Sequence, residues 1–210
     1  MKFKFIEIGT SDWSTEAHRR FHSNKPFTGL SIEPLSIYLK RLPEETGFYF
    51  KEQCAISNSE STKQIYYIHP DTVDKLNGHQ NWKGCNSIGD YHPLHIKVSQ
   101  HHNIPLEELV TKEPIQVKKF ETIIKKYNVE AIDFLKIDTE GYDTFILEDF
   151  LNYIQTSQQF NLLPKKIKFE SNKLNDYDRI TNIFKILKEL GYFYSYPADA
   201  VFYKDNIKCK

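Results

Sequence analysis

The chain has 210 residues, 40% hydrophobic and 27% charged, a composition that suits one folded domain over residues 1–210 and argues against a disordered chain. Lysine plus arginine equals aspartate plus glutamate, 28 of each, so nothing global draws the molecule to nucleic acid or acidic membranes. The three cysteines, Cys54, Cys85 and Cys209, form no C-x-x-C pair, which speaks against a disulfide framework or structural zinc and for a reducing, cytoplasmic setting.

The first residues are too tightly interleaved with charge for a signal peptide, and no apolar run reaches the ~18 residues of a membrane span. Phe3, Phe5, Ile6 and Ile8 predict a strand that ends at Gly9, followed by a turn and a short helix over Thr15–His22. A second strand, Thr28–Glu33, stops at Pro34, where a helix with Leu35, Tyr38, Leu39 and Leu42 on its apolar face can begin. Phe48–Ser57 and Ile65–Ile68 read as a third and a fourth strand. From about 70 to 114 the periodicity dissolves in a stretch holding five of the eight histidines, read as an insertion over the site with a short helix near Leu106–Val110.

Pro114–Val117 is extended, and Phe120, Ile123, Ile124 and Tyr127 mark a helix. Ala131–Ile137 is nearly all apolar, as a central parallel strand buried on both faces must be. A helix over Tyr142–Ile154, a strand over Ile167–Glu170 and a helical stripe from Ile180 to Leu190 follow, the last stopped by Gly191. Tyr192–Tyr196 and Ala200–Tyr203, joined through Pro197-Ala198-Asp199, predict a C-terminal antiparallel hairpin. The alternation implies an α/β fold, mainly a parallel sheet with helices on both faces, whose ligands bind beyond the carboxyl ends of the strands.

Polar residues gather at those ends. Gly9 lets the backbone approach a ligand, and Asp12 can accept hydrogen bonds from a cationic amine. Glu33 ends the second strand, where a carboxylate can accept from a pair of ribose hydroxyls. Asp138 and Glu140 end the central strand. Each also has a plain structural role open to it: a turn for Gly9, a helix start for Glu33, and helix caps for Asp138 and Glu140. Their order is more telling, because a glycine loop, then an acid one βα unit on, then acids at the central strand matches a nucleoside-binding crevice.

The run Ile132-Asp133-Phe134-Leu135-Lys136-Ile137-Asp138-Thr139-Glu140-Gly141-Tyr142-Asp143 resembles the signature of FkbM-type methyltransferases. Val117–Ile124, Ile6–Asp12 and Glu33-Pro34 resemble the segments that accompany it. The resemblance implies a Rossmann-like class I methyltransferase fold, S-adenosylmethionine as cofactor, and methylation of a hydroxyl on a small molecule or carbohydrate. It also implies roles. Glu7 and Gly9 flank the methionine moiety, Glu33 holds the ribose, Ile56 and Ser57 lie near adenine, and Asp138 and Glu140 face the methyl group and the acceptor. The first loop, Glu-Ile-Gly-Thr-Ser-Asp, departs from the family's usual Asp-x-Gly-Ala-Asn, which weakens the case for cofactor contacts from Ser11 and Asp12.

Transfer to a hydroxyl requires a base, and Asp138, Glu140 or a histidine of the insertion can serve, with the acidic pair favoured. Asn86, Ser87 and His92 are candidates for acceptor binding, with Glu140. His92-Pro-Leu-His95 has a spacing found among metal ligands, but no cysteine pair accompanies it, so no metal is expected. A dehydrogenase would show G-x-G-x-x-G after the first strand, and only Gly9 is there. A degenerate methyltransferase fold acting as a binding or scaffold module is the remaining alternative. The chain starts directly on a strand, which leaves the crevice open to cover by a partner subunit in a homo-oligomer.

Overall fold

The computed structural model describes residues 1–11, 13, 15–23, 25–171, 175–195 and 200–204. In chain order, β1 (Lys2–Phe3) and β2 (Phe5–Ile8) lead to α1 (Glu16–His22), β3 (Gly29–Ile32), α2 (Ser36–Leu39), β4 (Tyr49–Glu52), β5 (Ala55–Ile56) and β6 (Ser61–Tyr67). The next segment carries α3 (Pro70–Lys75), a 3-10 turn (Gln80–Lys83), β7 (Ser87–Ile88), α4 (Pro93–His102) and α5 (Leu106–Leu109). Then come β8 (Thr111–Lys118), α6 (Phe120–Lys126), β9 (Ala131–Ile132), β10 (Phe134–Ile137) and α7 (Asp143–Ser157). A 3-10 turn (Phe160–Leu162), β11 (Lys166–Phe169), α8 (Tyr177–Glu189), β12 (Tyr192–Ser195) and β13 (Ala200–Lys204) complete the described chain.

The main sheet has seven strands in the order β12-β13-β11-β10-β2-β3-β4. Strands β11, β10, β2, β3 and β4 are parallel, and β13 is antiparallel to β11. The parallel strands β2, β3 and β10 are buried along their whole length, as helix-covered faces require. Alternation sends Ile6 and Ile8 into a core shared with Phe120, Ile123, Ile146 and Phe150 of α6 and α7, while Phe5 packs with Ala17 of α1 and Tyr49 on the opposite face. Gly29 makes room for that second core, since a Cβ there would lie 2.4 Å from the Phe5 ring.

Register fixes what stands beside what. Ile8 pairs with Ile137 on one side and Ile32 on the other, and Ile32 pairs with Glu52. The hydrogen bonds continue past the strands: Gly9 N–H donates to Ile32 O, Asp138 N–H to Ile8 O and Glu33 N–H to Glu52 O. Gly9, Glu33 and Asp138 therefore emerge side by side at one end of the sheet. The chain leaves β2 to one side for β3 and β4 and returns on the other for β10 and β11, so this is also where the strand order reverses.

Several elements differ from the sequence reading. The strand expected over Phe48–Ser57 divides at Gln53 and Cys54: β4 stays in the main sheet, and β5 pairs with β8 in a second, four-stranded sheet of order β5-β8-β6-β7. The short strand expected at Ile65–Ile68 is the seven-residue β6, because the exposed half of its ladder to β8 carries Ser61, Thr62, Lys63 and Gln64, which give no apolar signal. The central run is interrupted at Asp133, whose carboxylate pairs with Lys4 and Lys165. The segment from 70 to 114 lacks periodicity yet is ordered. Its helices are short and close a small core of Ile68, Val73, Val98, Leu109 and Val110. The C-terminal strands pair antiparallel as expected, and the proposed link Pro197-Ala198-Asp199 lies outside the described residues. Among the described residues no helix is long and apolar enough to cross a membrane.

Candidate active site

A cleft of about 660 Å³, counting its open mouth, lies over the tips of β2, β3 and β10. Its floor is Gly9, Thr10, Glu33, Asp138 and Thr139; an apolar wall is formed by Ile32, Cys54, Ala55, Ile56, Ile65 and Ile88.

Gly9 is where two tips meet. Its φ is +78°, in the left-handed region, and a Cβ there would sit 1.9 Å from the carbonyl oxygen of Asp138. Only glycine permits both the turn and the approach. Glu33, 2% exposed, stitches the loop that follows. Its Oε2 accepts from Thr10 N–H, the Thr10 hydroxyl and Ser11 N–H, each at 2.9 Å, and its Oε1 from Leu35 N–H at 3.0 Å. Burial pushes this carboxyl's pKa up, and the four donors oppose that rise. One oxygen thus carries a single bond and retains room to accept another from a ligand in the cleft.

The Lys-Ile-Asp-Thr-Glu-Gly turn forms the other side of the floor. Lys136 Nζ lies 3.0 Å from Asp138 Oδ2, the two side chains sharing a sheet face two residues apart. Glu140 has φ +53° and Gly141 φ +105°, so a non-glycine residue is held in a left-handed conformation at the mouth of the cleft. Such strain persists where the surroundings over-determine it, and it concentrates at functional sites. At the neighbouring residue, Thr139, the same turn is braced by Asp143. That side chain is fully buried, accepts from Thr139 N–H (2.9 Å) and the Thr139 hydroxyl (2.6 Å), and also accepts from Glu170 N–H (2.9 Å) at the end of β11. Burial lifts its pKa to about 6 against the pull of these bonds. Neither Asp138 nor Glu140 caps α7, whose N-cap is Tyr142 without a side-chain bond.

The segment from 70 to 114 reaches the same cleft. Lys83 O accepts from the Ser11 hydroxyl at 2.8 Å and from the Tyr38 hydroxyl at 2.7 Å, which ties the first loop and α2 to this segment. Gly84, Asn86 and Ile88 line the cleft wall. Asn86 Oδ1 is buried and has no hydrogen-bond partner among the described residues, an acceptor waiting for a donor. Trp13 stands at the mouth, 48% exposed, and a Cβ at Gly84 would come within 2.8 Å of its indole nitrogen.

Of the residues named from sequence, Gly9, Ser11, Glu33, Ile56, Asn86, Asp138 and Glu140 line the cleft. Glu7 does not. Its carboxylate is fully buried beneath the floor, accepting from Glu16 N–H, Ala17 N–H and the Ser31 hydroxyl, so it anchors the N-terminus of α1 instead of flanking a ligand. Ser57, 2% exposed, and Ser87 lie outside the lining; the Ser57 N–H donates to Lys118 O where β5 meets β8. His92 sits behind Glu140, its Nε2 3.5 Å from Glu140 Oε2. Asp12 lies outside the described residues. Sequence reasoning overlooked Trp13, Tyr142 and the organising part of Asp143. A carboxylate four residues after Thr139 in a turn was the available signal for the last.

Comparison with curated proteins and with solved structures gives no match. The sequence profile of the methyltransferase FkbM domain, in contrast, matches residues 7–194, from within β2 to within β12. With most of the chain covered, and with the matched span holding every residue of the cleft floor, the protein belongs to the FkbM family of methyltransferases and is an S-adenosylmethionine-dependent enzyme.

Proposed function

We propose that this cleft holds S-adenosylmethionine and that the enzyme methylates a hydroxyl on a small molecule or carbohydrate. The sheet is read as a Rossmann-like class I methyltransferase fold within a single domain, and residues 70–114 as an insertion that closes over the site. The observation that carries the reading is the convergence of Gly9, Glu33 and Asp138 on one hollow. Three features of the lining support the reading. The apolar wall around Ile56 suits a flat adenine ring, Glu33 Oε1 has capacity for a ribose hydroxyl, and Asp138 offers negative charge toward the cationic end.

When bound, S-adenosylmethionine supplies the activated methyl group. The chain's own residues do the rest. The Gly9 loop and the Asp138 turn set the direction of approach, and holding donor and acceptor in line can account for much of the acceleration, with effective molarities up to ~10⁵–10⁸ M. Glu140, at the mouth, takes the proton of the acceptor hydroxyl, a contribution typically worth ~10²–10⁴-fold. Trp13 and Asn86 border the space left for the acceptor.

The test uses S-adenosylmethionine labelled in its methyl group, with panels of alcohols, phenols, sugars, amines and carboxylates. Label is expected in hydroxyl-bearing compounds and to fall at least ~100-fold in Glu140→Gln. Label confined to amines or carboxylates would overturn the choice of acceptor class.

A further inference from the structure

His92 is the N-cap of α4, and its two ring nitrogens have different surroundings. Nδ1 accepts the N–H of Leu94 at 3.1 Å, so in the neutral ring the proton resides on Nε2. Nε2 is buried without a hydrogen-bond partner, and Glu140 Oε2 stands 3.5 Å from it. An orphaned buried donor ordinarily costs ~1–3 kcal/mol, so its position calls for an acceptor.

Turning the ring would forfeit the bond from Leu94 N–H. His95 completes a reciprocal capping box by accepting the His92 N–H on its own Nδ1 at 3.2 Å. Its Nε2 is 2.8 Å from Cys85 O, and burial lowers its pKa to about 4, so His95 is neutral and donates there. Two interlocked histidines thus fix the start of α4 against the turn that carries Cys85. The same region holds a potential metal-ligand trio, Cys85, His92 and Glu140. A metal on His92 Nε2 would need the proton on Nδ1, directly facing the Leu94 N–H. Burial also pushes the Cys85 thiol up to about 12, and its Sγ donates to Asn81 O at 3.4 Å.

We propose that His92 is the positioning residue of Glu140: a donor locked in one tautomer that holds one carboxylate oxygen from behind and leaves the other to the cleft. This rests on the reading of Glu140 as the proton acceptor. His92 itself is then neither base nor metal ligand. In the step it serves, the hydroxyl proton passes to Glu140, the hydroxyl oxygen's electron pair forms the new bond to the methyl carbon, and the broken carbon–sulfur bond leaves its pair on sulfur.

The experiment is long-range ¹H–¹⁵N spectroscopy on the full chain labelled with ¹⁵N-histidine. His92→Asn assigns the signal and keeps the cap, because an asparagine oxygen can replace Nδ1. The expected spectrum shows a protonated Nε2 and a bare Nδ1 on His92, an Nε2–H resonance that shifts in Glu140→Ala, and no response to one equivalent of Zn²⁺. The Glu140 carboxyl ¹³C signal should shift in His92→Asn and return toward its original position in His92→Gln, whose amide nitrogen can occupy the place of Nε2. A bare Nε2, a His92 signal indifferent to Glu140→Ala, or displacement by zinc would overturn the proposal. Binding of S-adenosylhomocysteine, measured separately by calorimetry, reports on the cofactor reading alone, so failure of one is distinguishable from failure of the other.

Discussion

Gly9 and Asp143 do opposite things for the same turn: one removes bulk, the other supplies acceptors. Gly9→Ala would drive a Cβ into the Asp138 carbonyl, a backbone atom that cannot step aside, at a φ that disfavours any side chain. A loss above ~3 kcal/mol is expected, read as a large drop in the unfolding midpoint or as insoluble protein. Asp143→Asn keeps one oxygen for Thr139 but turns an amide toward the Glu170 N–H, so ~1–3 kcal/mol should be lost in chemical denaturation. Because burial raises the Asp143 pKa from 3.8 to about 6, its ionised form is disfavoured by folding, and its contribution to stability declines as pH rises through that interval. In Asp143→Asn that pH-dependent decline should be absent from the stability profile. The motif containing Asp138 and Glu140 was legible in the sequence because its residues are contiguous. The part played by Asp143 was not, since it depends on a donor from β11 that no local pattern reveals. Glu7 misled for a related reason: it lies in the right strand, but alternation points it to the face that α1 covers.

Between elements, Glu52 at the end of β4 ties the two sheets to α6. It accepts from Lys118 Nζ (2.8 Å), Lys126 Nζ (2.5 Å) and Tyr127 Oη (2.7 Å). Burial pushes its pKa up, but these partners outweigh that effect and hold it at about 2. A depressed folded-state value adds stability above the ordinary value of 4.5 that is lost as pH falls through about 2. Glu52→Gln should therefore lower the unfolding midpoint at pH 7 and converge with the wild type near pH 2, as followed by circular dichroism. Helices with long apolar stripes, α7 and α8, were readable from periodicity to within three residues at each end. The short helices α3 and α4 were not, because their starts are set by His69 and His92 as N-caps and by Pro70 and Pro93, and their inward residues are few. Of the two histidines at metal-like spacing, His92 is the N-cap of α4 and His95 completes its capping box.

At the scale of the molecule, the reversal of strand order beside β2 puts residues 9, 33 and 138, far apart in sequence, on one rim, and the second sheet with the 70–114 segment raises a wall above it. A parallel sheet was legible from the alternation of strands and helices, whereas the division of the chain between two sheets was not, since the break at Gln53 and Cys54 shows no turn signal. Ligand binding should stabilise the whole assembly by mass action: S-adenosylhomocysteine at 100 times its Kd should add ~2.7 kcal/mol and raise the unfolding midpoint, while NAD should leave it unchanged. The most direct test of the shared cleft is calorimetric titration of S-adenosylhomocysteine into the wild type and Glu33→Ala. Saturable binding at one site per chain, weakened at least ~10-fold by the substitution, is the predicted result. Absence of binding to the wild type, or equal affinity in the two proteins, would contradict it.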